Sequence, residues 1–423
     1  VASRKGSFLI PALAVVGVLA AALFIFSLFG GSEIAIGNLV LRAQNGASQT
    51  IVHPSAADLT AASFQPIADL VLNDLPKNII IIMGDGMGIG AVSAASQLLS
   101  PPGVPLAMER APVIGLMHTW AADVLATDSA AAATAMATGY KTDKGVIGLL
   151  PDGRAVQTLF EAAQDAGLRT ALVTTSGLAD ATPGGFLTHV QSRDDYSLVL
   201  NQMLDSESDV LIGGDWSGKE KAWRQPDYRE AVAGAEDRGA ASGFSVFRKW
   251  KDLETAQAPL IALLPPRTEM PEQHGPPLTE MAGRALDILE DGDEPFIILI
   301  ETEVTDETAH SNDMTKLLEG MRELDATVSS VLDRVASHND TLVLVVSDHE
   351  TGGPHLLEGR YDQGEVIVRW AHDYHSSQLV PIFAFGPGSD AFSGVFDNTQ
   401  FGVRIAALLG LEGFPSVADS QHN

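Results

Sequence analysis

Apolar and polar positions fall in blocks along this chain, and the blocks have two periods. "NIIIIMGDG" (Asn78 to Gly86) is a continuous apolar run closed by glycines, the pattern of a strand buried on both faces. Runs of the same kind are "RTALVTTS" (Arg169 to Ser176), "DVLIGG" (Asp209 to Gly214), "PFIILIE" (Pro295 to Glu301), "TLVLVVSDHE" (Thr341 to Glu350) and "LVPIFAFGPG" (Leu379 to Gly388). Between them, apolar residues return at helical spacing in "TLFEAAQDAG" (Thr158 to Gly167), "LTEMAGRALDILEDG" (Leu278 to Gly292) and "KLLEGMRELDATVSSVLDRV" (Lys316 to Val335). Wholly apolar strands alternating with amphipathic helices predict an α/β three-layer sandwich, a large and mostly parallel central sheet flanked by helices. Trp216 to Pro277 has no clear period and reads as irregular, and Gly352 to Tyr374 reads as a long loop or small excursion.

The pattern also divides the chain. Arg4 and Lys5 precede Phe8 to Phe29, a run of 22 residues without a charge. That length spans a bilayer, and the basic flank predicts a cytoplasmic N-terminus with the bulk of the chain outside. Residues 1–30 are therefore expected to be a membrane anchor, with a cleaved signal as the alternative. Residues 31–75 read as a tether or lead-in, 76–415 as the main folded domain and 416–423 as a flexible tail. No internal repeat is visible.

Composition narrows the chemistry. Acidic residues outnumber basic ones 54 to 26, giving a net charge of −28, so a nucleic-acid partner is not expected. The chain has no cysteine, which excludes thiol catalysis, thiolate metal sites and disulfides. A protein this acidic that acts on an anion needs local positive charge, from metal ions or a few arginines.

Candidate chemistry collects at strand ends, where ligands bind in open α/β sheets. Asp85 closes the first strand, Glu301 another, and Asp348 and His349 a third. Asp306 and His310 follow Glu301 at a spacing that puts them on one face of a helix, and His375 precedes the last strand. Oxygen and imidazole donors of these types suit zinc and magnesium. "GDGMGIGA" is close to a dinucleotide fingerprint, but Asp85 inside it would repel a pyrophosphate. "ATDSAAAATA" (Ala126 to Ala135) reads as a helix start with Asp or Ser as cap. It also puts Ser129 where unpaired backbone N–H groups and the helix dipole favour phosphate.

Taken in order, "NIIIIMGDGMG", "ATDSAAAATAMATGYKT", "ADATPGGFLTHVQSR", "DEPFIILIETEVTDETAH", "VVSDHETGG" and "HSSQLVPIFAFGPG" resemble the alkaline phosphatase family, over most of Pro76 to Leu409. The resemblance implies a metal-dependent phosphomonoesterase with two zinc ions and one magnesium. It implies that Ser129 is the nucleophile and becomes phosphoserine. Asp85, Asp348 and His349 would hold the zinc beside it. Asp306, His310 and His375 would hold the second, the downstream match selecting His375 over His372. Asp85, Thr182 and Glu301 would hold magnesium with Asp180 alongside, and Arg193 would clamp the phosphoryl oxygens. A homodimer is possible on the same ground. A phosphodiesterase or sulfatase on the same fold, or a membrane-tethered phosphate-binding protein without catalysis, are the alternatives.

Overall fold

The computed structural model describes residues 33–36, 39–42, 75–100, 103–216, 220–265, 276–360 and 365–417. The chain divides into two units, 1–64 and 65–423. In the first, Glu33–Ile36 and Leu39–Arg42 pair antiparallel, so the stretch expected to be a plain tether contains a short strand pair. The apolar run Phe8 to Phe29 lies outside the described residues. Among the described residues, no helix is long and apolar enough to cross a membrane.

The second unit is built on a ten-stranded sheet. In chain order its strands are β1 (Asn78–Gly84), β2 (Val113–His118), β3 (Arg169–Gly177), β4 (Val210–Gly214), β5 (Ser245–Phe247), β6 (Leu260–Leu264), β7 (Phe296–Thr302), β8 (Thr341–Val346), β9 (Val380–Phe385) and β10 (Gly394–Asp397). Across the sheet the order is β10-β2-β9-β8-β1-β7-β3-β4-β6-β5. Only β9 is reversed, pairing antiparallel with β8 and with β2. The C-terminal ends of the other nine strands therefore share one edge.

Pleating explains the layers. Along β1, Ile79, Ile81 and Met83 join a core with the helices Ser129–Thr138, Leu159–Asp165, Ala181–Leu187, Tyr196–Leu204 and Thr399–Leu409. Ile80 and Ile82 join a second core on the other face, with Ile89–Leu98, Leu278–Leu289 and Met314–Val335. Both faces are covered, which is why the central strands carry apolar residues at every position.

Three regions depart from the sequence reading. Between Trp216 and Pro277 the described residues are not irregular: they hold β5, β6 and the helices Pro226–Ala233 and Ala235–Ala241. Strand β6 is "LIALL", five residues all buried, too short for its apolar run to stand out from polar surroundings. The excursion after Gly352 contains an antiparallel ladder, His355–Arg360 with Glu365–Arg369. The run "TLVLVVSDHE" stops being sheet at Val346, and Glu350–Thr351 pairs separately with His375–Ser376.

Candidate active site

The site forms where the strand ends meet the helix Ser129–Thr138. Asp128 caps that helix, its Oδ1 accepting from Ala131 N at 3.1 Å, and Ser129 is the first helical residue. All ten residues of the helix are buried. Its alanines let a neighbour come close: a Cβ on Gly185 of the helix Ala181–Leu187 would lie 2.5 Å from the Ala133 side chain. The alanine run thus fixes the position of Ser129 rather than merely favouring a helix.

Two groups of metal-type ligands converge at this edge. In the first, Asp85 follows β1, and Asp348 and His349 follow β8. His349 Nε2 lies 3.4 Å from Asp85 Oδ1, 3.3 Å from Asp348 Oδ2 and 3.2 Å from Ser129 Oγ. All three residues are buried, and among the described residues neither Asp85 Oδ1 nor Asp348 Oδ2 receives a hydrogen bond. Burial, with Asp348 and Asp306 adding like charge, holds the Asp85 carboxyl well above the usual range. Burial pushes Asp348 up to about 6. His349 is held well below the usual imidazole range by burial and by nearby His375. Unpartnered buried carboxylate oxygens beside an imidazole nitrogen fit a divalent cation, because leaving them charged and alone is costly.

The second group is Asp306, His310 and His375. His310 Nε2 lies 3.2 Å from Asp306 Oδ2 and His375 Nε2 lies 3.5 Å from Asp306 Oδ1. The outer nitrogens are anchored by backbone: His310 Nδ1 meets Asp373 O at 2.8 Å, and His375 Nδ1 meets Thr127 O at 2.9 Å. The inner nitrogens are thereby left to face the group, as metal-ligating histidines require. Burial pushes Asp306 up, but hydrogen bonds with His310 and His375 prevail and hold it well below the carboxylate range. The same bond raises His310 to about 9 against burial. The rings of His349 and His375 stack with centroids 3.7 Å apart, so the two groups adjoin. His372 does not take part, its Nε2 being 3.7 Å from Glu350 Oε2.

The residues expected around magnesium are looser. Glu301 Oε2 accepts from Thr174 Oγ1 at 2.6 Å. Burial raises its pKa to about 8, the Thr174 bond opposing and the Asp180 charge adding. Thr182 Oγ1 is buried and, among the described residues, has no hydrogen-bond partner of normal geometry, though Thr182 also helps to lower Glu301. Asp180 caps the helix Ala181–Leu187 and accepts from Ser176 Oγ at 2.5 Å.

Arg193 is not paired with Asp194 or Asp195, its sequence neighbours. Its Nη1 donates to Asp128 Oδ2 at 3.2 Å and its Nη2 to Asp180 Oδ1 at 3.3 Å. Burial disfavours its charge, but Asp180 and Asp128 more than compensate and hold it fully protonated. It borders a cavity of about 510 Å³ that Asp128, Asp180, Lys144, Tyr196 and Trp216 also line. Sequence reasoning missed the roles of Asp128 as the orienter of Arg193 and of Thr174 as the partner of Glu301. The first was visible only as a helix cap, and nothing in the sequence pointed to the second.

The sequence profile of the alkaline phosphatase family matches residues 76–226 and 262–365, more than half of the chain. The chain belongs to the alkaline phosphatase family. The Schizosaccharomyces pombe alkaline phosphatase is 31% identical to it over 314 residues, covering 68% of this chain and 58% of the relative. Streptomycin-6-phosphate phosphatase of Streptomyces griseus is 28% identical, covering 79% and 91% respectively. Among solved structures, a variant of TAB5 alkaline phosphatase with Mg bound in its M3 site superposes with a TM-score of 0.69 at 25% identity, covering 80% of this chain and 99% of the other. Family and fold together make this alkaline phosphatase a phosphatase-type hydrolase.

Proposed function

We propose that this alkaline phosphatase hydrolyses phosphate monoesters through a phosphoserine at Ser129. Asp85, Asp348 and His349 would hold one zinc ion, and Asp306, His310 and His375 a second. Asp85, Thr182 and Glu301, with Asp180 alongside, would hold magnesium. The observation that carries the reading is Ser129 Oγ standing 3.2 Å from His349, beside two buried carboxylate oxygens that lack donors. Bound there, the ions would supply Lewis acidity and lower the pKa of water, as hydrolysis of so inert an ester demands.

The chain's own groups do the rest. Ser129 Oγ gives up its proton and bonds to phosphorus as the ester oxygen–phosphorus bond breaks, and that proton ends on the departing alcohol oxygen. Water then attacks phosphorus, and the serine oxygen leaves and regains its hydrogen. Through both steps Arg193 donates its two Nη groups to the non-bridging oxygens, its plane held by Asp128 and Asp180. The Streptomyces griseus relative, named for streptomycin-6-phosphate, supports an ester of this class. The proposal extends to an anchor at Phe8 to Phe29, an extracytoplasmic catalytic domain and a homodimer. Fractionation of the full chain and its mass in solution test those three points.

The deciding assay follows an aryl phosphate, a bis-aryl phosphate and an aryl sulfate, before and after chelation. We expect the monoester to turn over fastest, activity to vanish on chelation and return with zinc plus magnesium, and Ser129→Ala to lose roughly three orders of magnitude or more. Faster diester or sulfate turnover replaces this reading with another ester class. Binding of phosphate without turnover replaces it with a binding protein.

A further inference from the structure

Thr351 belongs to neither ligand group, yet its hydroxyl touches both. It donates to Asp306 Oδ1 at 2.5 Å, and it lies 3.2 Å from His349 Nδ1. The residue is 1% exposed, so no solvent competes for either contact. A threonine hydroxyl has one proton and two lone pairs. Its proton is committed to the shorter bond, to a carboxylate that has none to give. The contact with His349 is then a hydrogen bond only if Nδ1 carries the proton and Thr351 accepts it. Nδ1 has no other partner among the described residues. The proton on Nδ1 leaves the Nε2 lone pair aimed toward Asp85, Asp348 and Ser129.

We infer that Thr351 is a positioning residue that fixes the tautomer of His349 and the rotamer of Asp306 at once, so that the two ligand groups are set by a single hydroxyl. The backbone around it is built to the same end. Thr351 N donates to Gly86 O at 3.2 Å, and Gly86 N donates to Asp348 Oδ1 at 3.1 Å. Gly86 has φ +66°, and a Cβ there would lie 2.7 Å from both Asp306 Oδ1 and Thr351 Oγ1. Only glycine leaves room for the Thr351–Asp306 bond. Outer-sphere partners of this kind orient metal ligands and set their basicity, and losing one costs about 10- to 100-fold in metal affinity. Serving both groups, Thr351 should impose that cost on both.

The inference rests on the two groups being metal sites, and two readouts keep it separate from catalysis. The first is nitrogen-15 NMR of the metal-free full chain labelled at histidine, with His349 assigned by its loss in His349→Gln. Nδ1 of His349 should carry a proton in the natural protein and in Thr351→Ser, and lose it in the near-isosteric Thr351→Val. The second is calorimetric titration with zinc. Thr351→Val should weaken both binding steps about 10- to 100-fold, and Thr351→Ser should restore both. The inference is overturned by an unprotonated Nδ1 in the natural protein. It is equally overturned by a Thr351→Val defect confined to one binding step, or by no recovery with serine. A protonated Nδ1 and paired zinc losses in a chain that turns over no monoester would leave it standing and remove the proposed reaction instead.

Discussion

The two ligand groups differ in how far they are finished without a cation. Asp85, Asp348 and His349 are buried, with two carboxylate oxygens lacking donors and carboxyls pushed upward. Asp306, by contrast, is already matched by His310 and His375, and the His310 side chain is 41% exposed. The first group is a buried cage short of donors; the second is balanced and open. Placing the strained cage under Ser129 and the relaxed one toward solvent suits an enzyme that must activate one oxygen and release another.

The largest test of this contrast uses matched amides. Asp348→Asn and Asp306→Asn should each cut phosphatase activity by roughly three orders of magnitude, since each removes a ligand charge. Their effects on the metal-free protein should diverge. Asp348→Asn relieves a buried charge and should stabilise the fold by about 1–3 kcal/mol, whereas Asp306→Asn removes the partner of two histidines and should destabilise it by a similar amount. Denaturant melts of chelated protein read both, and equal signs would show that the groups do not differ as described.

A proton can neutralise these carboxylates where no cation does. The folded chain holds protons on Glu301 up to about pH 8 and on Asp348 up to about 6, whereas the unfolded chain releases them near 4.5 and 3.8. The folded state therefore binds more protons in that interval, and chelated protein should gain stability as pH falls from about 8 toward 4.5. Two groups act in the opposite sense: His349, held well below its ordinary value, below about 6.5, and Asp306, likewise held down, only below about 3.8. Melting temperature against pH, with and without metal, checks the slope, and Asp348→Asn separates the cage from Glu301: a slope below about pH 6 unchanged in that variant would deny that Asp348 is strained.

At the open group, His310→Gln removes a proposed ligand outright and should lose more than the roughly 100-fold in zinc affinity that an outer-sphere partner costs, yet recover activity in excess zinc, unlike the aspartate variants. The smallest effect lies away from the site. His189 Nε2 meets Glu161 Oε1 at 2.9 Å at a partly exposed position. Burial lowers His189, but the Glu161 bond prevails and raises it; burial raises Glu161, but the His189 bond prevails and lowers it. The pair's stabilisation is complete between about 4.5 and 6.5, lost above as His189 deprotonates and below as Glu161 is protonated. His189→Gln should cost under about 1 kcal/mol at pH 6 and less at pH 9.

The contrast also marks what the chain's letters disclose. β1, β3, β7 and β8 are legible because both their faces are buried, so composition alone reveals them. β2 escaped because its burial alternates and Gly115 interrupts it, and β6 because five apolar residues match a strand and a helix turn equally well. The reversal of β9 leaves no trace in its own residues, since pairing direction is decided by partners far along the chain. The candidate ligands were legible as strand-end acids and histidines, and the structure brings them together in two groups. Their division into strained and balanced groups was not, because it depends on which oxygens find donors across separations such as Asp306 to Thr351.

Reversed β9 brings His375 to the site ahead of a strand, while the other strand-borne ligands come after one. Glu350↔Ser376 and Thr351↔His375 pair as a small clasp, and the chain from His355 to Arg369 leaves and returns through it. One strand, His355–Arg360, packs on the helix Ile89–Leu98, and both ends of the excursion are pinned beside the candidate ligands. It offers a natural grafting port, where a new recognition module could be spliced in beside the reaction centre without re-engineering the centre itself.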